Sequence, residues 1–295
     1  MSVWTRKKER GSESLIRLIA WLAKMIGRPV CRVLLHPIAF YFVLTDATAR
    51  KASIEFLSTL QKRKAGWWDV HRHLYHFAAT LLDRVYMAAG EFHRFELRII
   101  GREIAEEALA QGRGLLLLGS HLGSFDLMLL AQREMSAHRV SVMMRVDPRA
   151  RVRRIAGIDD EAFDVIQTGR ADSYVRAHEA LEEGRVVAIL ADRVEGGAHR
   201  TASFLGRPAA LPLAPHVLAA RTGAPVMMFF GIYEGGNRYR IEFVEFGLSL
   251  PASSRGASLQ PALDRYATLL GQYAQAWPLN WFNFYPYWLP VEDRE

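Results

Sequence analysis

The sequence predicts an α/β fold with a mostly parallel central sheet flanked by helices, preceded by an N-terminal helical segment that associates with a membrane. Three observations predict it. From residue 114 onward, short apolar runs bounded by Gly or Pro alternate with segments of helical period, the pattern of strand–helix units. Half of the 295 residues are hydrophobic, enough for one large domain with its own core. The apolar segment Leu15 to Thr45 is cut by Arg17, Lys24, Arg28 and Arg32 and by Pro29 and Pro37. Its longest uncharged run, Val33 to Thr45, is shorter than the roughly 20 residues of a bilayer-spanning helix. The expected division is a basic, apolar membrane-associating segment over 1–46 and a single α/β domain over 47–295.

Residues 1–13 are polar and carry Arg6, Lys7, Lys8 and Arg10. In the segment that follows, Ile16, Ile19, Ala20, Leu22 and Ala23 supply apolar positions, and Trp4 and Trp21 suit the headgroup level. The basic residues would meet an anionic membrane surface, and the positive-inside bias puts this end on the cytoplasmic side. Charges within the apolar stretch argue against a cleaved signal peptide. Residues 46–112 read as helical, with Trp67, Trp68, His71, Leu74, Phe77, Leu81 and Leu82 at helical spacing. His71, His73 and His76 lack an acidic or cysteine partner at ligand spacing, so no metal site is expected. Glu103 to Gln111 is a short helix ended by Gly112. Gly114 to Leu118 is a buried strand, and a helix follows Gly123 with Ser124 as its cap. Strands are expected at 140–146, 164–168, 186–192 and 225–233, with an alternating edge strand at 239–246. Helices are expected at 173–183, 212–221 and 259–277, the last with Leu263, Tyr266, Leu270 and Tyr273 on one face.

The chemistry centres on Leu115 to Asp126. His121 falls in the loop between a buried strand and the next helix, the usual ligand position in open α/β sheets. With His121 in the loop and Asp126 in the first helical turn, the two side chains can meet. An ionised carboxylate beside an imidazole fixes its tautomer and stabilises the imidazolium, which makes His121 a general base oriented by Asp126. Gly119-Ser120-His121-Leu122-Gly123 lacks the first glycine of a G-x-S-x-G nucleophile site, so the attacking hydroxyl would come with a substrate.

His121 and Asp126 match the H-x4-D motif, and the chain resembles the bacterial lipid A biosynthesis (lauroyl/myristoyl) acyltransferases, a branch of the lysophospholipid acyltransferase superfamily. Three further blocks carry the resemblance over roughly residues 15–288. Arg145 follows a strand, as in the family's second block, with Pro148 shortly after. Asp192 matches a strand-end aspartate, with Arg193 where glutamine is common. Phe204 to Pro215, including Gly206 and Pro208, matches F-F-G-x-P-A-x-x-P-x-G-P, with Ala214 for the last glycine. The aromatic tail Trp277 to Trp288 resembles the W-F-N-F-Y ending of the branch associated with polyene-type lipids, although Pro286 stands where that branch has aspartate.

The resemblance implies transfer of a fatty acyl group from an acyl thioester, acyl carrier protein above all, to a hydroxyl of a lipid acceptor. It implies no bound cofactor and no metal, a place on the cytoplasmic face of the bacterial inner membrane, and substrate contacts by Arg145, Asp192, Arg193, Phe204, Gly206 and Pro208. The strand ends at Leu118, Met144 and Leu190, with Phe204 and Leu205, would wall the acyl slot. A formal net charge of +7 fits an acidic partner. The aromatics follow no RNA-binding signature, so nucleic acid is not that partner. The single Cys31 excludes an internal disulfide. The alternatives are a lipid esterase or thioesterase using the same His/Asp pair on water, and a non-catalytic protein that binds anionic lipid.

Overall fold

The computed structural model describes residues 25–127, 139–145, 164–194 and 196–289, apart from the side chains of Ala88 and Asp126. Four leucines and a glycine, Leu115–Gly119 (β2), form the strand at the middle of a seven-stranded sheet. All five residues are buried, as the unbroken apolar run required. Leu116 and Leu118 join one hydrophobic cluster, while Leu115 and Leu117 join another on the opposite face. This two-residue alternation is the geometry of a strand covered on both sides.

In chain order the other strands are β1 (Glu96–Ile100), β3 (Val140–Met144), β4 (Asp164–Gln167), β5 (Val186–Leu190), β6 (His199–Phe204), β7 (Arg207–Pro212), β8 (Val226–Gly235) and β9 (Arg238–Glu245). The sheet runs β1-β9-β8-β2-β5-β3-β4. Every neighbouring pair in it is parallel except β8 and β9, which form an antiparallel hairpin. The described helices are α1 (Arg28–Thr45), α2 (Ala47–Gln61), α3 (Trp67–Ala88), α4 (Arg102–Leu109), α5 (Ser173–Glu182), α6 (Ala214–Thr222) and α7 (Gln260–Ala276). Residues of α2, α5, α6 and α7 pack on the Leu116/Leu118 face, and those of α1, α3 and α4 on the Leu115/Leu117 face.

Three expectations need correction. The stretch 46–112 is not wholly helical: Glu96–Ile100 is a strand, paired in parallel with β9, so β9 is covered and β1 is the edge. Its alternation of polar and apolar side chains is the period-2 signal. Residues 199–212, where no strand was expected, form a hairpin: β6 and β7 make a two-stranded antiparallel sheet closed by Leu205 and Gly206, both at positive φ (54° and 78°). Two positive-φ central residues are the requirement of the hairpin turn whose twist matches the strands. Helix α6 then begins at Ala214 rather than at Pro212. Beyond Gly123 the chain makes a 3-10 turn at Phe125–Leu127, and the rest of the helix expected there lies outside the described residues.

Residues 1–24, which hold much of the expected membrane segment, also lie outside the described residues. Helix α1 runs through Pro37 and has Pro29 in its first turn, where the missing N–H has no helical acceptor. It is tied down by ions. Arg28 binds Asp83 of α3 in two-pronged fashion (2.7 and 2.8 Å), Arg32 adds a contact at 3.3 Å, and Tyr239 of β9 donates to the same carboxylate at 2.7 Å. Asp83 has no exposed surface. Arg28 and Arg32 therefore face inward, contrary to the expectation that they meet anionic lipid; a buried carboxylate needs these partners more than a headgroup could. The outer face of α1 is apolar. Val33 (67 % exposed), Leu34, Ile38, Tyr41 (60 %), Phe42 and Leu44 lie open, and Trp67 and Trp68 (74 %) at the start of α3 are exposed as well. Among the described residues, no single helix is long and apolar enough to cross a membrane; α1 and α2 pass that test only as a pair bent by 97°.

Candidate active site

Strand register brings the two central side chains together. In the parallel β2–β5 pair, Gly119 stands opposite Leu190. His121 and Asp192 each follow two residues later, so they leave neighbouring strands at the same carboxyl-end rim, about 4.8 Å apart across the sheet. The Ala191 N–H donates to the Gly119 carbonyl at 3.0 Å and holds the two loops in step.

His121 Nδ1 lies 2.9 Å from Asp192 Oδ1, and the His121 backbone N–H donates to Asp192 Oδ2 at 3.0 Å. The Asp192 carboxylate has no exposed surface, whereas the His121 side chain is 26 % exposed. Burial by itself would raise the Asp192 carboxyl. The charge and hydrogen bond of His121, with nearby Arg193 and the amide of Asn283, outweigh burial and hold it well below the usual carboxylate range. An ionised Asp192 only accepts, so Nδ1 carries the proton and Nε2 is the basic edge.

Asp192, expected among the substrate contacts, is thus enclosed beneath His121. The side chain of Asp126, the partner expected from the sequence, lies outside the described residues; its backbone belongs to the 3-10 turn. Arg145 is exposed, one residue past β3 on the same rim. Phe204, expected at the substrate, has no exposed surface and stacks on Trp281 and Trp288, with ring centroids 5.0 and 6.0 Å away. It is core because the hairpin folds its Phe204 end back onto the aromatic tail. Of the other slot candidates, Leu118 is fully buried and Met144, Leu190 and Leu205 are half-buried. Gly206 supplies the hairpin turn, and the Pro208 carbonyl accepts from the Leu289 N–H at 3.0 Å.

The aromatic tail is a strap across the rim. The Gly123 N–H donates to the Asn280 carbonyl at 2.7 Å, and the Phe282 N–H donates to the His121 carbonyl at 2.8 Å. The Asn283 amide donates to Asp192 Oδ2 at 2.8 Å, and the Tyr287 hydroxyl donates to the Asp192 carbonyl at 3.0 Å. Arg193 donates to the Asn283 side-chain oxygen at 2.6 Å and to the Phe282 carbonyl at 3.2 Å, and sits 5.3 Å over the Tyr285 ring. Trp288 Nε1 donates to the Phe204 carbonyl at 3.0 Å. Asn280 and Asn283 escaped the sequence reading. The signal was present: two asparagines inside a run of aromatics are polar groups bound for burial, and buried amides need partners.

The loop after β2 is held by contact that only glycine permits. Gly123 has φ +81°, and a Cβ there would lie 2.1 Å from the Gly231 carbonyl oxygen. That carbonyl accepts the Ser124 N–H at 2.6 Å. Ser120 is buried, and its Oγ accepts from the Leu122 N–H at 3.2 Å. It is not a nucleophile presented to solvent. The site can therefore withdraw a proton through His121 Nε2 but brings no nucleophile at this loop.

Residues 77–289 match the family described as bacterial lipid A biosynthesis acyltransferase. Among curated proteins, the chain is similar to two from Mycobacterium tuberculosis, of strains ATCC 25618 / H37Rv and CDC 1551 / Oshkosh, each named phosphatidylinositol mannoside acyltransferase. Each is 29% identical over 199 residues, which is 65% of this chain and 60% of the relative's length.

Proposed function

Because this chain belongs to the bacterial lipid A biosynthesis acyltransferase family, we propose that it moves a fatty acyl group from an acyl thioester to a hydroxyl of a lipid acceptor. The observation that carries the reading is the His121–Asp192 pair at the carboxyl rim of the sheet, with the His121 side chain partly exposed, Nδ1 taken by buried Asp192, and Ser120 buried. Nε2 takes the proton of the acceptor hydroxyl as its oxygen attacks the thioester carbonyl. The tetrahedral oxyanion collapses, the C–S bond breaks, and the thiolate leaves with the proton returned by the imidazolium. Asp192, on Nδ1, fixes the tautomer and stabilises the imidazolium. We place Asp192 in the role that the H-x4-D spacing gave to Asp126; replacing each in turn separates them.

The developing oxyanion needs donors. The backbone N–H groups of His121, Leu122, Gly123 and Ser124 already bind Asp192, Ser120, Asn280 and Gly231. That favours the exposed guanidinium of Arg145 over the loop amides. The relatives are named for a phosphatidylinositol mannoside, which supports a sugar-bearing lipid as acceptor. Acyl carrier protein is the proposed donor; the basic run Arg149, Arg151, Arg153 and Arg154 that could receive it lies outside the described residues.

Attachment to the cytoplasmic face of the inner membrane is part of the proposal, with residues 1–46 as its main determinant. The open apolar face of α1 and the Trp67–Trp68 pair support it, since a patch of this kind is the mark of a membrane or protein contact. The test of the function is product analysis. Purified protein, an acyl thioester and a lipid acceptor should give acylated lipid by mass spectrometry, and His121→Ala should slow its formation by about 10²–10⁴. Free fatty acid formed at the same rate with and without acceptor would mean an esterase or thioesterase.

A further inference from the structure

We infer that Asn283 is a positioning residue for the acyl transfer proposed above, acting on His121 through the carboxylate of Asp192. The inference rests on that reading of His121 and Asp192. Asn283 is 2 % exposed, and both ends of its amide are taken. Its nitrogen donates to Asp192 Oδ2 at 2.8 Å, and its oxygen accepts from Arg193 Nε at 2.6 Å. A guanidinium can only donate and a carboxylate can only accept, so the amide has one workable orientation. Arg193 is itself fixed by the Phe282 carbonyl and by the Tyr285 ring. The chain of contacts therefore runs Tyr285 and Phe282, Arg193, Asn283, Asp192, His121.

The interposed amide has a chemical consequence. If Arg193 met Asp192 directly, a full positive charge would offset the carboxylate that stabilises the imidazolium. Asn283 instead gives Oδ2 a neutral donor. Together with the His121 N–H it occupies Oδ2 and leaves Oδ1 the closer oxygen to Nδ1, at 2.9 Å against 3.2 Å. The carboxylate thus keeps its charge and loses its freedom to rotate.

The test is Asn283→Leu, which keeps the volume and removes both hydrogen bonds. Per folded protein, kcat should fall about 10- to 100-fold, the effect of losing a hydrogen bond to a buried charged group. The KM values for donor and acceptor should stay within about twofold, because the amide touches neither. The acid limb of the kcat/KM profile should move to higher pH, since a carboxylate that has lost a donor stabilises the imidazolium more. Arg193→Gln should cost less alone, and the double variant should be no worse than Asn283→Leu, because Arg193 acts through the amide. If Asn283→Leu does not fold, Asn283→Ser carries the same expectations. A wild-type kcat, or a loss of activity with the acid limb unmoved, overturns the inference. A wild-type rate in Asn283→Leu beside an inactive His121→Ala would refute the positioning role while leaving the base intact.

Discussion

Asp192→Asn would change one atom of the proposed pair and, by the geometry around it, invert the tautomer of His121. Two donors converge on Oδ2, the His121 backbone N–H at 3.0 Å and the Asn283 amide at 2.8 Å. An asparagine side chain at 192 must offer its oxygen to both. Its NH2 then takes the Oδ1 position, 2.9 Å from His121 Nδ1 in the wild type. Nδ1 also lies 3.2 Å from the Oδ2 position, but the nearer neighbour would be the amide nitrogen, which only donates, so the geometry favours Nδ1 as the acceptor with the ring proton on Nε2. Nε2 is the edge that receives the acceptor's proton, and in this tautomer it is already protonated. The analogous change in a serine protease triad costs about 10⁴ in kcat, and we expect a loss of about 10³–10⁴ here, with the fold retained. Asp192→Ala removes the orienter without enforcing the wrong tautomer. It should therefore keep several-fold more activity than Asp192→Asn, an order opposite to that of side-chain similarity. Initial rates of lipid acylation at saturating donor, normalised to folded protein by circular dichroism, make the comparison. An Asp192→Asn enzyme within tenfold of wild type, or more active than Asp192→Ala, would refute the assignment.

His121→Ala should lower turnover per folded protein by about 10²–10⁴ in the same assay, with some loss of stability because buried Asp192 loses a partner; full activity in the folded variant ends the proposed mechanism. Val33→Asp with Tyr41→Asp should weaken binding to zwitterionic vesicles at least about tenfold in sedimentation, because charge on the open face of α1 resists burial in lipid; equal binding would move the membrane contact elsewhere. Gly123→Ala should destabilise the protein by about 2–4 kcal/mol in urea, since its Cβ must displace the Gly231 carbonyl at a positive φ; an unchanged midpoint would contradict the close approach. Burial lowers His73, His76 and His216 from 6.5 to about 4 each. The unfolded chain therefore takes up protons first as pH falls below 6.5. Their contribution is complete above that pH and is lost toward pH 4, at about 1.4 kcal/mol per pH unit for each histidine. Urea midpoints between pH 4 and 7 should show that slope, and His216→Phe should reduce it; a flat profile in both would disprove it.

Much of the fold could be read from the sequence, because strands buried on both faces leave a plain signature. Leu115–Gly119, Val186–Leu190 and Val226–Gly235 are near-continuous apolar runs, and all three are central strands of the sheet. β1 escaped because the two exposed residues of this edge strand are charges, Glu96 and Arg98, that also suit a helix surface. The β6–β7 hairpin escaped because Leu205 adopts a positive φ that only its neighbour Gly206 announces. At the site, His121 stood out through its position after a buried strand. The partner on Nδ1 did not, because it comes from the neighbouring strand 71 residues later rather than from the same loop. Spacing along the chain detects only local pairs; Asp192 needed the β2–β5 register, which periodicity cannot supply. Asn283 lies another 91 residues on and needed the strap as well.

That strap also dictates when the site can exist. The loop bearing His121, the residue Asp192 and the clasp at Asn283 are made in that order, 71 and then 91 residues apart. At about 5–20 residues per second, a ribosome delivers the clasp roughly ten seconds or more after the base. Once β5 and Phe204 are made, β2, β3 and β5 can pair, but their rim lacks Trp281, Asn283 and Tyr287, and Phe204 lacks the two indoles it stacks on. Closing so long a loop is a late, entropically costly step. A nascent chain halted before Trp281 holds the base and its carboxylate without the clasp that orders them. Such a chain leaves Phe204 without the Trp281 and Trp288 rings that cover it in the finished fold.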